Sequence, residues 1–140
     1  MRPDFHSIYM DLAKSIAKRS TCCRKQVGSV ITTTDHRKVL AVGYNGNATG
    51  LANGCDDPEK SGSCGCLHAE NNSVINCDAP RGTEKYVYVT LLPCKMCAKT
   101  LINLGNIKTV FYWEDYRDKT SLDLFKQVGI EVIKMGDANE

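Results

Sequence analysis

Helical and strand periodicities alternate along these 140 residues, which points to an α/β fold, a mixed sheet with helices on both faces. Three observations carry that reading. Five short runs rich in β-branched and aromatic residues are each bounded by turn residues. Stretches with apolar residues at helical spacing lie before and between them. The resulting order is α-β-β-α-β-α-β-α-β, a hairpin followed by strands that alternate with helices.

Residues 4–19 read as the first helix, with Asp4 after Pro3 as its cap. Phe5, Ile8, Tyr9, Leu12, Ile16 and Ala17 form an apolar stripe expected to face the core or another subunit. His6 lies off that stripe and is expected at the surface. Residues 27–33 and 38–44 are β-rich, and Thr34-Asp35-His36-Arg37 between them reads as a hairpin turn, with His36 a turn residue. Asn45-Gly46 ends the second strand, either as a plain turn or as a contact to substrate. Residues 47–65 form a long polar loop that carries Cys55 and Cys64 and leads into Cys66. Loops of that length in small domains tend to be functional or disordered, and the cysteines favour an ordered one.

Residues 68–76 read as a helix with Val74 and Ile75 toward the core, followed by Cys77 as an inert, partly buried thiol. Ala79-Pro80-Arg81-Gly82 is a turn, and residues 85–91 alternate as a strand. Residues 94–104 form a helix with Leu101 and Leu104 on one face and Gly105 as its stop. A strand at 108–113, a helix at 121–128 stopped by Gly129 and a strand at 130–134 complete the order. Residues 136–140 read as a frayed end.

Length and composition predict one domain with a proper core. A net charge of +2 with no basic run argues against a nucleic-acid partner. No stretch is long and apolar enough to span a membrane, and the first residues lack the apolar core of a signal peptide. Eight cysteines without such a signal favour metal binding in a reducing, cytoplasmic setting over a disulfide framework.

The chemistry concentrates in two stretches, Cys64-Gly65-Cys66-Leu67-His68-Ala69-Glu70-Asn71 and Leu92-Pro93-Cys94-Lys95-Met96-Cys97. His68, Cys94 and Cys97 offer one imidazole and two thiolates, and a catalytic zinc takes three protein ligands with a position left for water. Pro93 suits the first position of a helix, which places Cys94 in the first turn, where the dipole favours a thiolate. Cys97 follows three residues later on the same face. Glu70, two residues after the histidine, is close enough to move protons without binding the metal. A redox Cys-x-x-Cys pair or a structural zinc module are the competing readings, and neither has a use for Glu70. His-x-Glu with Pro-Cys-x-x-Cys matches the signature of zinc-dependent nucleobase deaminases.

The resemblance is more specific along Arg19-Ser20-Thr21-Cys22, Gly43-Tyr44-Asn45-Gly46, residues 89–99 and Tyr112-Trp113-Glu114-Asp115-Tyr116. Over nearly its whole length the chain resembles the deoxycytidylate (dCMP) deaminases of the cytidine deaminase superfamily. Asn71-Asn72 departs from relatives that often carry a hydrophobic residue and then Asn, which bears on helix packing. The resemblance implies a three-layer cytidine-deaminase-like fold with a five-stranded mixed sheet, and a single zinc-dependent deaminase domain over residues 1–140. It implies hydrolysis of dCMP to dUMP and ammonia by a homo-oligomer, commonly a hexamer. It further implies activation by dCTP and inhibition by dTTP, with Mg2+, at a site that includes Gly43, Tyr44 and Gly46. Asn45 would contact the sugar, Thr90 would line the base pocket, and the Ala69 N–H would bind the base carbonyl. The phosphate needs a cation, for which Arg24, Lys25 and Arg117 are candidates. Tyr112 and Tyr116 are candidates for the pocket wall, with core packing as the alternative for aromatics on a strand. A deaminase of free cytosine nucleosides or of nucleic acid is the rival within the superfamily.

Cys55, Cys64 and Cys66 remain unexplained around one loop, and Cys22 lies in the Arg-Ser-Thr-Cys stretch that some relatives use for a second metal. Four cysteines make a closed tetrahedral set, as a structural zinc requires. Such an ion would order a polar loop that has little apolar surface of its own. Cys23 competes with Cys22 for the fourth position.

Overall fold

The computed structural model describes residues 1–60 and 64–136; the predicted frayed end beyond Gly136 lies outside them. The described residues form helices α1 (Phe5–Ala17), α2 (Ala69–Asn76), α3 (Lys95–Leu104) and α4 (Thr120–Gln127). Strands β1 (Gly28–Thr33), β2 (Val39–Tyr44), β3 (Lys85–Leu91), β4 (Ile107–Glu114) and β5 (Glu131–Lys134) complete the set in the expected order. The sheet runs β2-β1-β3-β4-β5. β1 pairs antiparallel with both β2 and β3, whereas β3, β4 and β5 are parallel. The parallel half follows from the intervening helices, because a parallel connection needs a crossover. No described helix is long and apolar enough to cross a membrane.

One sheet face is covered by α1, through Tyr9, Met10 and Ala13 against Val30, Tyr88 and Phe111. The other carries α2, α3 and α4, through Ala69, Ala98, Leu101 and Phe125 against Ile31, Val87, Val89 and Val110. The buried line of α1 differs from the predicted stripe: Tyr9, Met10, Ala13 and Ala17 are inside, whereas Phe5 and Ile8 are 52% and 44% exposed. Gly28 explains the shift. A Cβ there would lie 2.0 Å from the Ala13 carbonyl oxygen and 2.7 Å from the Ala17 nitrogen. The helix therefore rests on β1 at its smallest residues, and the larger apolar side chains rotate outward. Gly28→Ala is expected to destabilise the fold by about 1–3 kcal/mol, since the obstructing atoms are backbone. A thermal melt checks this, and an unchanged Tm would contradict it.

His6 corrects a second expectation. It is half-buried, its Nδ1 lies 2.7 Å from the Tyr88 hydroxyl, and its ring packs 4.4 Å from that of Phe111. Burial holds its pKa below the usual histidine range. His36 is the turn residue expected, at φ 65, but it also stacks on Phe5 at 4.9 Å. Tyr9 donates to its carbonyl at 2.6 Å, which ties α1 to the hairpin.

Of the Asn71-Asn72 pair, Asn72 has a packing role, whereas Asn71, where relatives often carry a hydrophobic residue, leaves its Oδ1 buried without a hydrogen bond among the described residues. β2 is the edge strand, and Asn72 Nδ2 donates to the Tyr44 carbonyl at 2.8 Å. One turn later Asn76 donates to Val42 at 2.9 Å. The two amides occupy outward carbonyls that would otherwise invite another strand. Ile75, expected toward the core, is 71% exposed, because α2 turns these asparagines toward β2 instead. At the far end of the sheet the buried Lys85 ammonium donates to the carbonyls of Arg81, Thr83 and Gly105, at 3.2, 2.7 and 2.8 Å. All three donors are used, which is what a buried cation needs.

Candidate active site

α2 and α3 start beside the carboxyl ends of β3 and β4, where ligands collect in sheets of parallel strands. His68 is the N-cap of α2 and Cys94 the N-cap of α3, both with extended backbone. Pro93 thus precedes the cap and is not the first helical residue, a correction of two positions. The shift gives the Cys94 sulfur a capping role, since it accepts from the Cys97 N–H at 3.5 Å. An antiparallel bridge between Gly46 and Leu67 fixes the chain just before His68.

His68 Nδ1 lies 3.1 Å from Cys97 Sγ and 3.6 Å from Cys94 Sγ. The three donor atoms all lie within 4.8 Å of one another, with Cys97 buried. A hydrogen bond from Cys97, then the His68 side chain and the Cys97 N–H, hold the Cys94 thiol down to about 4. The Cys97 thiol is raised correspondingly, by that bond to Cys94 and by burial. One thiolate is thus already favoured, and a cation would favour the second. Two sulfurs and one imidazole are the donor set of a three-ligand zinc site, so these residues fit that ion.

Glu70 sits in the first turn of α2, 4% exposed. Burial pushes its carboxyl up to about 7, into the range useful for taking and giving protons near neutral pH. Its carbonyl accepts from Ser73 Oγ at 2.9 Å, and Ser73 pairs with Ser29 Oγ at 3.0 Å, which fixes this turn of α2 to β1. Glu70, His68 and Cys94 open into a cavity of about 290 Å³, which Asn45, Ala69, Tyr116, Arg24, Lys25 and Arg117 also line.

A family model for the cytidine and deoxycytidylate deaminase zinc-binding region matches residues 3–114. The chain belongs to this deaminase family. It is 36% identical over 143 residues to the deoxycytidylate deaminase of Saccharomyces cerevisiae, and 33% over 144 residues to that of Schizosaccharomyces pombe. Each match takes in 94% of this chain but only 45% and 44% of those proteins, so the chain spans a little under half their length. The crystal structure of the dCMP deaminase of cyanophage S-TIM5, in complex with dCMP and dUMP, matches with a TM-score of 0.85 and 30% identity, over 96% of this chain and 99% of the other.

Within this deaminase fold, two residues expected at the pocket lie elsewhere. Thr90 Oγ1 accepts from the Gly28 N–H at 3.1 Å and is spent joining β3 to β1. Tyr112 is buried in the core, its hydroxyl donating to Asp115 at 3.2 Å. Asn45 does line the cavity, but its side chain is already engaged. Its Oδ1 accepts from the Val27 N–H at 2.8 Å, and its Nδ2 donates to the Lys25 carbonyl. Gly43 lies under α2, where a Cβ would meet the Ala69 oxygen and the Ser73 nitrogen at 2.5 Å. Close packing accounts for that glycine without a ligand.

The cations differ in availability. Arg24 donates to the Pro58 carbonyl at 2.7 Å, and Arg117 stacks over Tyr116 at 4.9 Å. Lys25 forms an ion pair with Glu114 at 2.8 Å. Glu114 and Asp115 on the cavity wall were missed from sequence, because a carboxylate following a strand carries no signal of its own. Asp115 is held below the usual carboxylate range, first by its hydrogen bond from Lys134 at 2.8 Å.

The remaining cysteines form a second group. Cys22, Cys55, Cys64 and Cys66 bring their sulfurs within 4.8 Å of one another, and Cys22, Cys64 and Cys66 line the same cavity as His68. Cys22 Sγ lies 3.6 Å from Cys55 and 3.7 Å from Cys64, and Cys55 lies 3.7 Å from Cys66. Four thiols at this spacing also fit a metal. Cys77 stands apart, packed against the core as expected.

Proposed function

We propose that this chain catalyses the hydrolytic deamination of dCMP to dUMP and ammonia. The observation that carries the reading is the convergence of His68, Cys94 and Cys97 beside buried Glu70, in one cavity with Arg24, Lys25 and Arg117. The dCMP and dUMP held by the cyanophage relative support the substrate class.

His68, Cys94 and Cys97 would hold a catalytic zinc, which would supply Lewis-acid activation of water near neutral pH. Glu70 takes one proton from the attacking water and delivers it to the pyrimidine N3, then takes the proton of the new C4 hydroxyl and passes it to the amino group, which leaves as ammonia as the C4 carbonyl forms. Burial suits it to both directions of transfer. The Ala69 N–H, at the start of α2, binds the base carbonyl. Asn45 orders the mouth of the cavity and presents what remains of its amide to the sugar. Arg24, Lys25 and Arg117 recognise the phosphate, and Tyr116 walls the pocket. Purified, zinc-loaded chain should release one ammonia per dUMP formed from dCMP. A zinc-loaded protein that leaves dCMP unchanged would refute the assignment.

Cys22, Cys55, Cys64 and Cys66 hold a second, structural zinc in this reading. Wild-type protein then carries two zinc ions per chain, and Cys55→Ser one, with the catalytic centre intact. Metal analysis checks this, and a single zinc in loaded wild-type protein would remove the second site.

Regulation by dCTP and dTTP with Mg2+ in a homohexamer rests on the family resemblance. Its support here is mechanical: the stretch with Gly43, Tyr44 and Gly46 packs on α2 and bridges to Leu67, so an effector there would act directly on the segment bearing His68 and Glu70. Hyperbolic dCMP kinetics unmoved by either triphosphate would exclude it.

A further inference from the structure

The four-cysteine group has a fifth thiol at its edge. Cys23 Sγ lies 2.8 Å from Cys55 Sγ, and the Cys23 N–H also points at that sulfur, at 3.3 Å. Cys23 is exposed, whereas Cys64 within the group is buried. A tetrahedral centre is filled by four sulfurs, so a fifth thiol can join only by removing one of them. Cys55 is the sulfur it touches. Cys55 also lies 3.6 Å from Cys22 and 3.7 Å from Cys66, so its loss takes one of the four sulfurs from the group.

We propose that Cys23 is an oxidation trigger for this centre, forming a disulfide with Cys55 that takes Cys55 out of the metal's donor set. The inference rests on the reading that Cys22, Cys55, Cys64 and Cys66 hold a zinc ion. The oxidant is a peroxide. The exposed Cys23 sulfur attacks one peroxide oxygen, the O–O bond breaks, the thiol proton goes to the departing oxygen, and a sulfenic acid forms as one water leaves. The Cys55 thiolate then attacks the Cys23 sulfur, the S–O bond breaks, and a second water leaves. In sum, two thiols and one hydrogen peroxide become one disulfide and two waters, with two electrons passing from sulfur to oxygen. The three remaining sulfurs bind zinc far less tightly than four, and the ion is lost.

The consequence reaches the catalytic cavity because the two groups share a wall. Cys22, Cys64 and Cys66 line the space that His68 and Glu70 line, and Cys66 is two residues from His68 along the chain. The polar loop ahead of Leu67 has little apolar surface to hold it once the ion has gone. Oxidation should therefore raise the KM for the nucleotide before it removes the catalytic metal, whose Cys97 sulfur is fully buried.

The test uses reduced, zinc-loaded full-length chain, hydrogen peroxide and a chromogenic zinc chelator. The expected result is release of one of two zinc ions per chain, with a Cys23–Cys55 cross-link in the unreduced digest, reversed by a dithiol and added zinc. Cys23→Ser should begin with two zinc ions and unchanged turnover, and release zinc at least about tenfold more slowly. Equal release rates in wild type and Cys23→Ser, or a cross-link joining a different pair, would overturn the trigger and leave the four-cysteine centre standing. A starting content of one zinc per chain would remove the centre and the trigger together.

Discussion

Glu70→Gln should keep its zinc and lose a factor of about 10²–10⁴ in kcat. The side chain is nearly isosteric and lies in the first turn of α2, so the fold and the metal ligands have no reason to change. What disappears is a group able to accept and return a proton. The buried carboxyl sits near neutrality because its surroundings penalise charge, and an amide in the same place has no titration to offer. The loss should fall on kcat with little change in KM, since the proton moves in the transition state and not on binding. Zinc content and dCMP turnover measured on the same preparation check both halves. Turnover close to wild type with zinc retained would mean that another group moves the proton.

Cys97→Ala should lower the zinc content by one per chain and reduce turnover at least about 10³-fold, the equivalent of several kcal/mol of transition-state stabilisation. Its sulfur is the most buried of the three ligands and lies 3.1 Å from His68 Nδ1. Truncation leaves a donor set of one imidazole and one thiolate at the start of two helices. Added zinc should not restore activity, whereas a wild-type protein stripped by a chelator should recover with the metal. Recovery of Cys97→Ala by zinc would show that His68 and Cys94 suffice.

The candidate zinc site was legible because its spacing is local. His68 and Glu70 lie two residues apart, and Cys94 and Cys97 one turn apart, so each pair is positioned by a single helix start. What sequence misplaced was the register of that start: Cys94 caps α3 instead of following the cap, which changes the partner of its sulfur and not its role. The strand order was legible as a class, since helices between strands impose parallel pairing. The buried face of α1 was not, because it depends on the missing side chain of Gly28, which belongs to a different element. His6 read as a surface residue because nothing in its own helix reveals Tyr88 and Phe111 opposite. Thr90 and Tyr112 do not line the described cavity, for a related reason. Each side chain had a use inside the fold, a hydrogen bond to β1 for Thr90 and a core position for Tyr112, that only the packed sheet shows. The pairing of Lys25 with Glu114 spans 89 positions and left no local trace.

In the proposed function this cavity takes a free cytosine nucleotide and recognises its phosphate. The most direct measurement is kcat/KM of the zinc-loaded chain for dCMP, deoxycytidine and a cytosine within a single-stranded oligonucleotide, under one set of conditions. Charge-assisted bonds from cations at the mouth predict that dCMP exceeds deoxycytidine by about 10²-fold, with the oligonucleotide a poorer substrate still. Deoxycytidine turned over as well as dCMP, or an oligonucleotide cytosine turned over better than either, would contradict the assignment.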